Sequence, residues 1–358
     1  MRVLVTGGAG FVGARIARDF RAGGAEVVAF DNLRRRGSET NLAPLRAAGV
    51  TFAHGDVRAP ADLEDLDGSF DVVVDAAAEP SVLAGLGGSP RYVIDANLLG
   101  TVNLLEFCRR RAGALLFLST SRVYSIDPLR RLALTEGPTR FELAAEQPVP
   151  GAGPAGVSEA FPTDTSRSFY GASKLAAELL VQEYAALYGM RAVITRCGVI
   201  TGPGQFGKAE QGVFAMWAAH HVLGLPLRYI GFGGDGKQVR DLLHPDDLIA
   251  LLRLQIEAIE AVSGRVFNAG GGRDISVSLR ELTALCREAS GNEVEIGSDA
   301  RTSAVDVPLY ISDNARVTDA LGWRPTITPA QIIGGIVAWV RDDMERSRRM
   351  FSSEEGTG

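Results

Sequence analysis

Arg2-Val3-Leu4-Val5-Thr6-Gly7-Gly8-Ala9-Gly10-Phe11-Val12-Gly13 decides the fold. A short apolar run reads as a buried strand, three glycines follow at intervals of three, and a helical pattern continues to about Arg21. Strand, glycine turn and helix stand in the order that dinucleotide binding requires. Gly7 permits the tight turn, Gly10 lets a pyrophosphate approach the backbone, and Gly13 lets helix pack on strand. Phe11 and Val12 open the helix, whose N-terminus receives the phosphates.

Working outward, residues 26–30 read as a second strand ending at Asp31-Asn32. An acid at this distance from the loop accepts the adenosine ribose hydroxyls and repels a 2′-phosphate, which favours NAD over NADP. Arg34-Arg35-Arg36 is the counterweight, because arginines hold such a phosphate; a solvated loop is the plainer reading. A strand at 50–54 leads to Asp56-Val57, whose carboxylate meets the adenine edge or simply closes a turn. A strand at 71–75 leads to Ala76-Ala77-Ala78, small enough for a flat cofactor to lie on the backbone or for tight packing alone. A helical pattern covers 90–111, and a strand at 114–118 ends at Ser119-Thr120-Ser121. Repeated strand–helix units with short links predict an α/β fold: a doubly wound parallel (Rossmann) sheet. Its ligands bind at the carboxyl ends of the strands.

Between 125 and 168 the periodicity fails, and proline and glycine are dense at 148–162. A connection this long borders a functional site more often than it is idle. Then comes Phe169-Tyr170-Gly171-Ala172-Ser173-Lys174. Tyr170 and Lys174 share a helix face one turn apart. A nearby ammonium lowers the pKa of a phenol, about 10 when unperturbed, so the pair reads as a proton-transfer device or as a plain Tyr/Lys pair. Only three lysines stand among the 37 lysines and arginines, so a lysine is notable here. A strand at 191–196 precedes Cys197. Mixed pieces follow, with helices near 212–223, 245–261, 278–290 and 329–345. This divides the chain into a dinucleotide-binding domain (1–196), a smaller mixed substrate-binding lobe (197–346, with some return to the first domain) and a fraying tail (347–358).

A net charge of −6 gives no electrostatic case for nucleic acid. No apolar run is long enough to span a bilayer, and Met1 is followed at once by a strand pattern, without a signal segment. Cys108, Cys197 and Cys286 are odd in number and far apart, which fits neither a disulfide frame nor a metal site and points to a reducing cytoplasm.

These residues, with Gly202-Pro203 and Arg240-Asp241-Leu242-Leu243-His244-Pro245-Asp246-Asp247, make the chain resemble the extended short-chain dehydrogenase/reductases, the nucleotide-sugar epimerases and dehydratases. Four stretches resemble the CDP-paratose (CDP-tyvelose) 2-epimerases among them: residues 30–37 with Asn41-Leu42, Thr139-Arg140-Phe141, Gln205-Phe206 with Glu210-Gln211-Gly212, and residues 236–241. Dehydratases carry an Asp-Glu pair after the threonine; Ser121 and Arg122 stand there instead and cannot do that acid–base work. A basic residue at the Arg122 position matches a 2-epimerase.

The resemblance implies NAD-dependent oxidation and re-reduction of one sugar carbinol, at C2 of a CDP-sugar. Tyr170 is then the base, Lys174 lowers its pKa and holds the nicotinamide ribose, and Thr120 binds the reacting oxygen. Ser119 and Cys197 join the cofactor set. Ser121, Arg122, Asn97, Phe206, Gln211, Lys237, Gln238 and Arg240 form the substrate set, with Arg240 on the diphosphate. For Arg240 the alternative is an ion pair, for Lys237 and Gln238 a plain turn, for Asn97 a cap on neighbouring backbone. Val199 replaces a family asparagine, and the second phosphate-binding arginine is out of register, leaving Arg301 or Arg316. A UDP-sugar 4-epimerase and a non-catalytic NAD-binding protein remain as other readings. A homodimer through 90–111 and 169–188 is the assembly the resemblance implies.

Overall fold

The computed structural model describes residues 1–206 and 212–351. Its centre is a seven-stranded sheet of parallel neighbours. The strands are β1 (Arg2–Thr6), β2 (Glu26–Asp31), β3 (Thr51–His54), β4 (Phe70–Asp75), β5 (Ala112–Thr120), β6 (Ala192–Cys197) and β7 (Val266–Ala269), in the order β3-β2-β1-β4-β5-β6-β7. Chain order reverses between β1 and β4, the switch point where ligands bind in such sheets. Register keeps the carboxyl ends level there: Thr6 pairs with Asp75, Asp75 with Phe117, and Thr120 with Cys197. Helices cover both faces, so the strand interiors are mostly apolar. Val3 and Val5 point into one core with Ile16 and Phe20, and Leu4 into the other with Leu104 and Phe117.

Helix α1 (Phe11–Ala22) follows the glycine turn. Gly7 has φ +62°, and a Cβ on Gly13 would lie 2.1 Å from the Gly7 carbonyl oxygen, so only glycine lets the helix sit this close. The 90–111 pattern is not one regular helix. A short turn, Arg91–Ile94, passes through a π-helical turn, Asp95–Leu99, into α2 (Gly100–Arg111). Helix α3 (Phe169–Tyr188) starts at Ser168, whose hydroxyl accepts from the Gly171 amide, and ends at Gly189 with φ +65°.

The 125–168 stretch carries a five-residue helix, Ile126–Arg130, and two short hairpins, Leu134–Glu136 with Phe141–Leu143 and Ala152–Gly153 with Gly156–Val157. Each is too short to print a period on the sequence. Tyr124, Ile126, Leu143 and Phe161 bury against Val305, Val307 and Leu309.

The second lobe holds α4 (Val213–Leu223), α5 (Pro245–Glu257), α6 (Leu279–Ser290), α7 (Pro329–Asp342) and α8 (Met344–Phe351). Helices α4, α6 and α7 share one core. Helix α5 leaves that lobe, is tied to α1 by Arg15–Asp246 (2.8 Å) and Arg253–Asp19, and leads into β7. The end differs from the sequence expectation: residues 347–351 do not fray, but form α8 with Ser347 and Phe351 buried. Only 352–358 of the expected tail lie outside the described residues.

His221 of α4 is wholly buried; its Nδ1–H donates to the Trp217 carbonyl at 2.8 Å and its Nε2 has no partner among the described residues. Burial pushes its pKa below the usual 6.5. The unfolded chain therefore takes up a proton at about pH 6.5 that the folded chain refuses, and stability contributed by neutral His221 is lost as pH falls below that value. His221→Leu should flatten the decline in Tm between about pH 7.5 and 5.5. Parallel Tm–pH curves for wild type and variant would refute this.

Candidate active site

One cleft of about 1010 Å³ opens over the carboxyl ends of the central strands. It exceeds the ~300–1,000 Å³ of a typical single-ligand pocket, and both lobes line it. Gly7, Gly10, Phe11, Val12 and Gly13 form its floor. A Cβ on Gly7 would fall 2.7 Å from the Ala76 carbonyl oxygen, so the cradle depends on bare backbone, as a pyrophosphate site requires. Asp31 lies beside it, accepting from the Ala9 amide (3.1 Å) and Leu33 amide (2.8 Å), with its pKa raised by burial. Val57 and the backbone of Ala76, Ala77 and Ala78 continue the wall. This donor and acceptor set fits a dinucleotide whose ribose hydroxyls meet Asp31.

Asn32 and Asp56 line the same end and bond each other at 2.9 Å. Burial raises Asp56, but hydrogen bonds from Arg58 and Asn32 outweigh it and hold its pKa at about 2. Arg34 is not simply solvated. Its guanidinium stacks 4.0 Å from the Tyr92 ring, with Arg58 at 4.9 Å.

At the centre stand Ser119, Thr120, Ser121, Arg122, Tyr170 and Cys197. Tyr170 stands beside Thr120. Burial pushes Tyr170 up to about 12; the Thr120 hydroxyl and the Arg122 charge pull it back. Lys174 stands back from this centre. Its ammonium is 2% exposed, sits 3.8 Å from the Phe117 ring centroid and does not line the cleft. Burial lowers it, while the charges of Asp75 and Glu178 hold it up. A cation acting on Tyr170 is Arg122, whose guanidinium makes one long hydrogen bond, to the Val305 carbonyl (3.4 Å), and no ion pair among the described residues. Ser119 donates to Glu178, which is locked to Arg196 at 2.7 Å.

In the outer half, Arg240 and Gln238 line the cleft. Arg240 pairs with Asp306 (2.6 Å), not with Asp241 or Asp246. Gln238 donates to the Ile230 carbonyl and keeps a buried Oε1 without a partner. Two expected substrate contacts fall elsewhere. Lys237 pairs with Glu136 at 2.6 Å, off the cleft. Asn97, turned inward by the π-helical turn, spends its amide on Glu79 and Ser173. Phe206 packs on Gly37, at the cofactor end. Gln211 lies outside the described residues. Neither Arg301, paired with Asp299, nor Arg316, beside Glu159, reaches the cleft. Sequence reading passed over Glu79 and Asp306, which line it. Glu79 had a signal, one residue past the alanines; Asp306 had none.

A family model described as NAD dependent epimerase/dehydratase family matches residues 3–270. A CDP-paratose 2-epimerase of Salmonella typhi is 29% identical over 351 residues, covering 95% of this chain and 99% of its own. Among solved structures, a UDP-glucose 4-epimerase of Thermus thermophilus in complex with NAD superposes with a TM-score of 0.75 at 30% identity, covering 95% of this chain and 99% of the other. A dTDP-glucose 4,6-dehydratase of Streptomyces venezuelae with NAD bound does so with 0.79 at 27% identity, covering 98% and 100%.

Proposed function

Since the chain belongs to the NAD dependent epimerase/dehydratase family, we propose that it epimerises a nucleotide-diphosphate sugar, at C2 of a CDP-linked sugar. The observation that carries the epimerase half is Arg122. A guanidinium that has no carboxylate partner among the described residues stands beside Tyr170, and Ser121 precedes it, where water elimination needs an acid and a base. The similarity to a CDP-paratose 2-epimerase over nearly the whole chain supports the C2 and cytidine assignment.

Bound NAD supplies reversible hydride acceptance, and Gly7, Gly10, Gly13 and Asp31 are the residues that would hold it. The chain's own part is proton handling and orientation. Tyr170 takes the hydroxyl proton as the carbinol becomes a ketone and returns it when the other face is reduced. Thr120 holds the Tyr170 hydroxyl in line. Arg122 favours the anionic oxygen that forms between them. Arg240 exchanges Asp306 for the diphosphate.

The test incubates the purified protein with CDP-, UDP- and dTDP-sugars in deuterated water and reads the products by NMR. Inversion at C2 of a CDP-sugar without solvent deuterium at that carbon supports the proposal. Inversion at C4 of a UDP-sugar replaces it with the 4-epimerase reading. A 4-keto-6-deoxy product refutes epimerisation. A homodimer and a cytoplasmic location belong to the same proposal. Supporting the dimer, Leu99, Leu179, Leu187 and Tyr188 are exposed at or on the helices expected to pair; a monomeric mass by light scattering removes it.

A further inference from the structure

Phe206 sits where three distant parts of the chain meet. Its ring lies directly on Gly37: a Cβ there would be 2.5 Å from Phe206 Cδ2. Gly37, with φ +96°, belongs to the loop that leaves Asp31. Trp339 of α7 backs the ring at 5.7 Å between centroids, and Phe351 of α8 backs Trp339 at 6.5 Å. Arg346 caps the stack, 4.5 Å over Trp339, and donates to its carbonyl at 2.9 Å.

The residues that lead to Phe206 are braced. Thr201 Oγ1 donates to Gln205 Oε1 (2.7 Å), and Gln205 Nε2 donates to the Ile200 carbonyl (3.0 Å). A Cβ on Gly335 of α7 would be 3.1 Å from the Pro203 ring, so that ring rests on the helix. Gly204 faces Phe11, at the first turn of α1. The segment thus crosses from the glycine turn to the loop after Asp31, and Gln205 and Phe206 line the cleft along that path.

We propose that Phe206 is a cofactor-retaining residue: wedged between Gly37 and Trp339, it closes the end of the cleft where Asp31 stands, so that a bound dinucleotide leaves only when the wedge opens. The glycine at 37 is what admits the ring, and α8 is what keeps Trp339 behind it. The same barrier suits a redox cycle that begins and ends with the oxidised cofactor. The inference rests on the dinucleotide reading and is independent of which sugar is turned over.

The experiment measures cofactor exchange. Wild type, Phe206→Ala, Phe206→Leu and Trp339→Ala are purified as full chains. Their NAD content is determined after denaturation, and exchange of bound NAD against excess isotopically labelled NAD is followed by mass spectrometry. Wild type should retain NAD and exchange it slowly. Phe206→Ala should release it about tenfold faster or more, the scale lost when an aromatic anchor is truncated. Phe206→Leu falls between, and carries the test if the alanine variant does not fold. Trp339→Ala moves the same way. Tyr184→Ala removes an aromatic pair away from the cleft (Tyr184–Tyr188, 5.2 Å) and leaves exchange unchanged. Wild-type exchange rates in both Phe206 variants, rapid exchange in wild type, or equal acceleration in Tyr184→Ala overturns the proposal. Failure to turn over a CDP-sugar leaves these readouts untouched.

Discussion

Tyr170→Phe should lower turnover of the accepted nucleotide sugar by about 10²–10⁴-fold, the usual contribution of a placed proton-transfer group. Bound NAD and Tm should stay at wild-type levels. The variant removes one oxygen and keeps the ring, so helix α3 and the cleft wall persist. The loss is large because nothing nearby replaces the hydroxyl. Burial holds the Cys197 thiol up at about 12, so it is no better an acceptor near neutrality. Lys174 stands behind the strand ends, out of the cleft. Thr120 is a hydroxyl of still lower acidity than a phenol. Because burial raises Tyr170 to about 12, the deprotonated fraction grows as pH rises, and wild-type kcat should climb with pH on the alkaline side of neutrality. That climb should vanish in the phenylalanine variant. Retention of full activity with an unchanged pH profile would remove Tyr170 from the mechanism.

What the sequence makes legible here is what a few adjacent residues dictate. The glycine turn, Asp31 and the small residues of Ala76–Ala78 act through backbone shape and a single charge close by, and their positions at strand ends follow from pattern. Parallel topology follows from alternation of strand and helix. Contacts that close over long separations are not legible. Lys237 finds Glu136 and Arg240 finds Asp306, partners 101 and 66 residues away. Lys174 is the instructive case. Spacing puts it one turn from Tyr170, yet its ammonium is buried over the Phe117 ring, with Asp75 on β4 and Glu178 one further turn along α3 among the charges that act on it. Asn97 is displaced by a π-helical turn, and no periodicity announces one extra residue in a helical turn. Phe206 lines the cleft, and its place there is fixed by Gly37 and Trp339, which no neighbour in sequence announces.

Glu178→Ala should cost about 3–5 kcal/mol of folding stability, the penalty for stranding a buried charge. Arg196 on β6 and Glu178 on α3 are 9% and 2% exposed in their side chains and joined at 2.7 Å, with a second bond at 3.0 Å from Nε. Removing the carboxylate leaves the guanidinium with the Tyr124 hydroxyl alone, at 3.3 Å. A surface pair such as Arg349–Glu345, 71% and 83% exposed, is worth at most about 1 kcal/mol, so Glu345→Ala is the control. Removing both buried charges tells the rest. Glu178→Leu with Arg196→Met should recover most of the stability, because an apolar pair of similar volume avoids the desolvation of two ions. It should not recover activity. Ser119 donates its hydroxyl to Glu178, and that bond steadies the end of β5 from which Thr120 reaches Tyr170. Loss of stability in the single variant, rescue in the double and persistent loss of turnover in both would assign the pair to holding the active site rather than to strengthening the fold. Rescue of both properties together would mean that Ser119 needs no acceptor, and that the pair serves only packing.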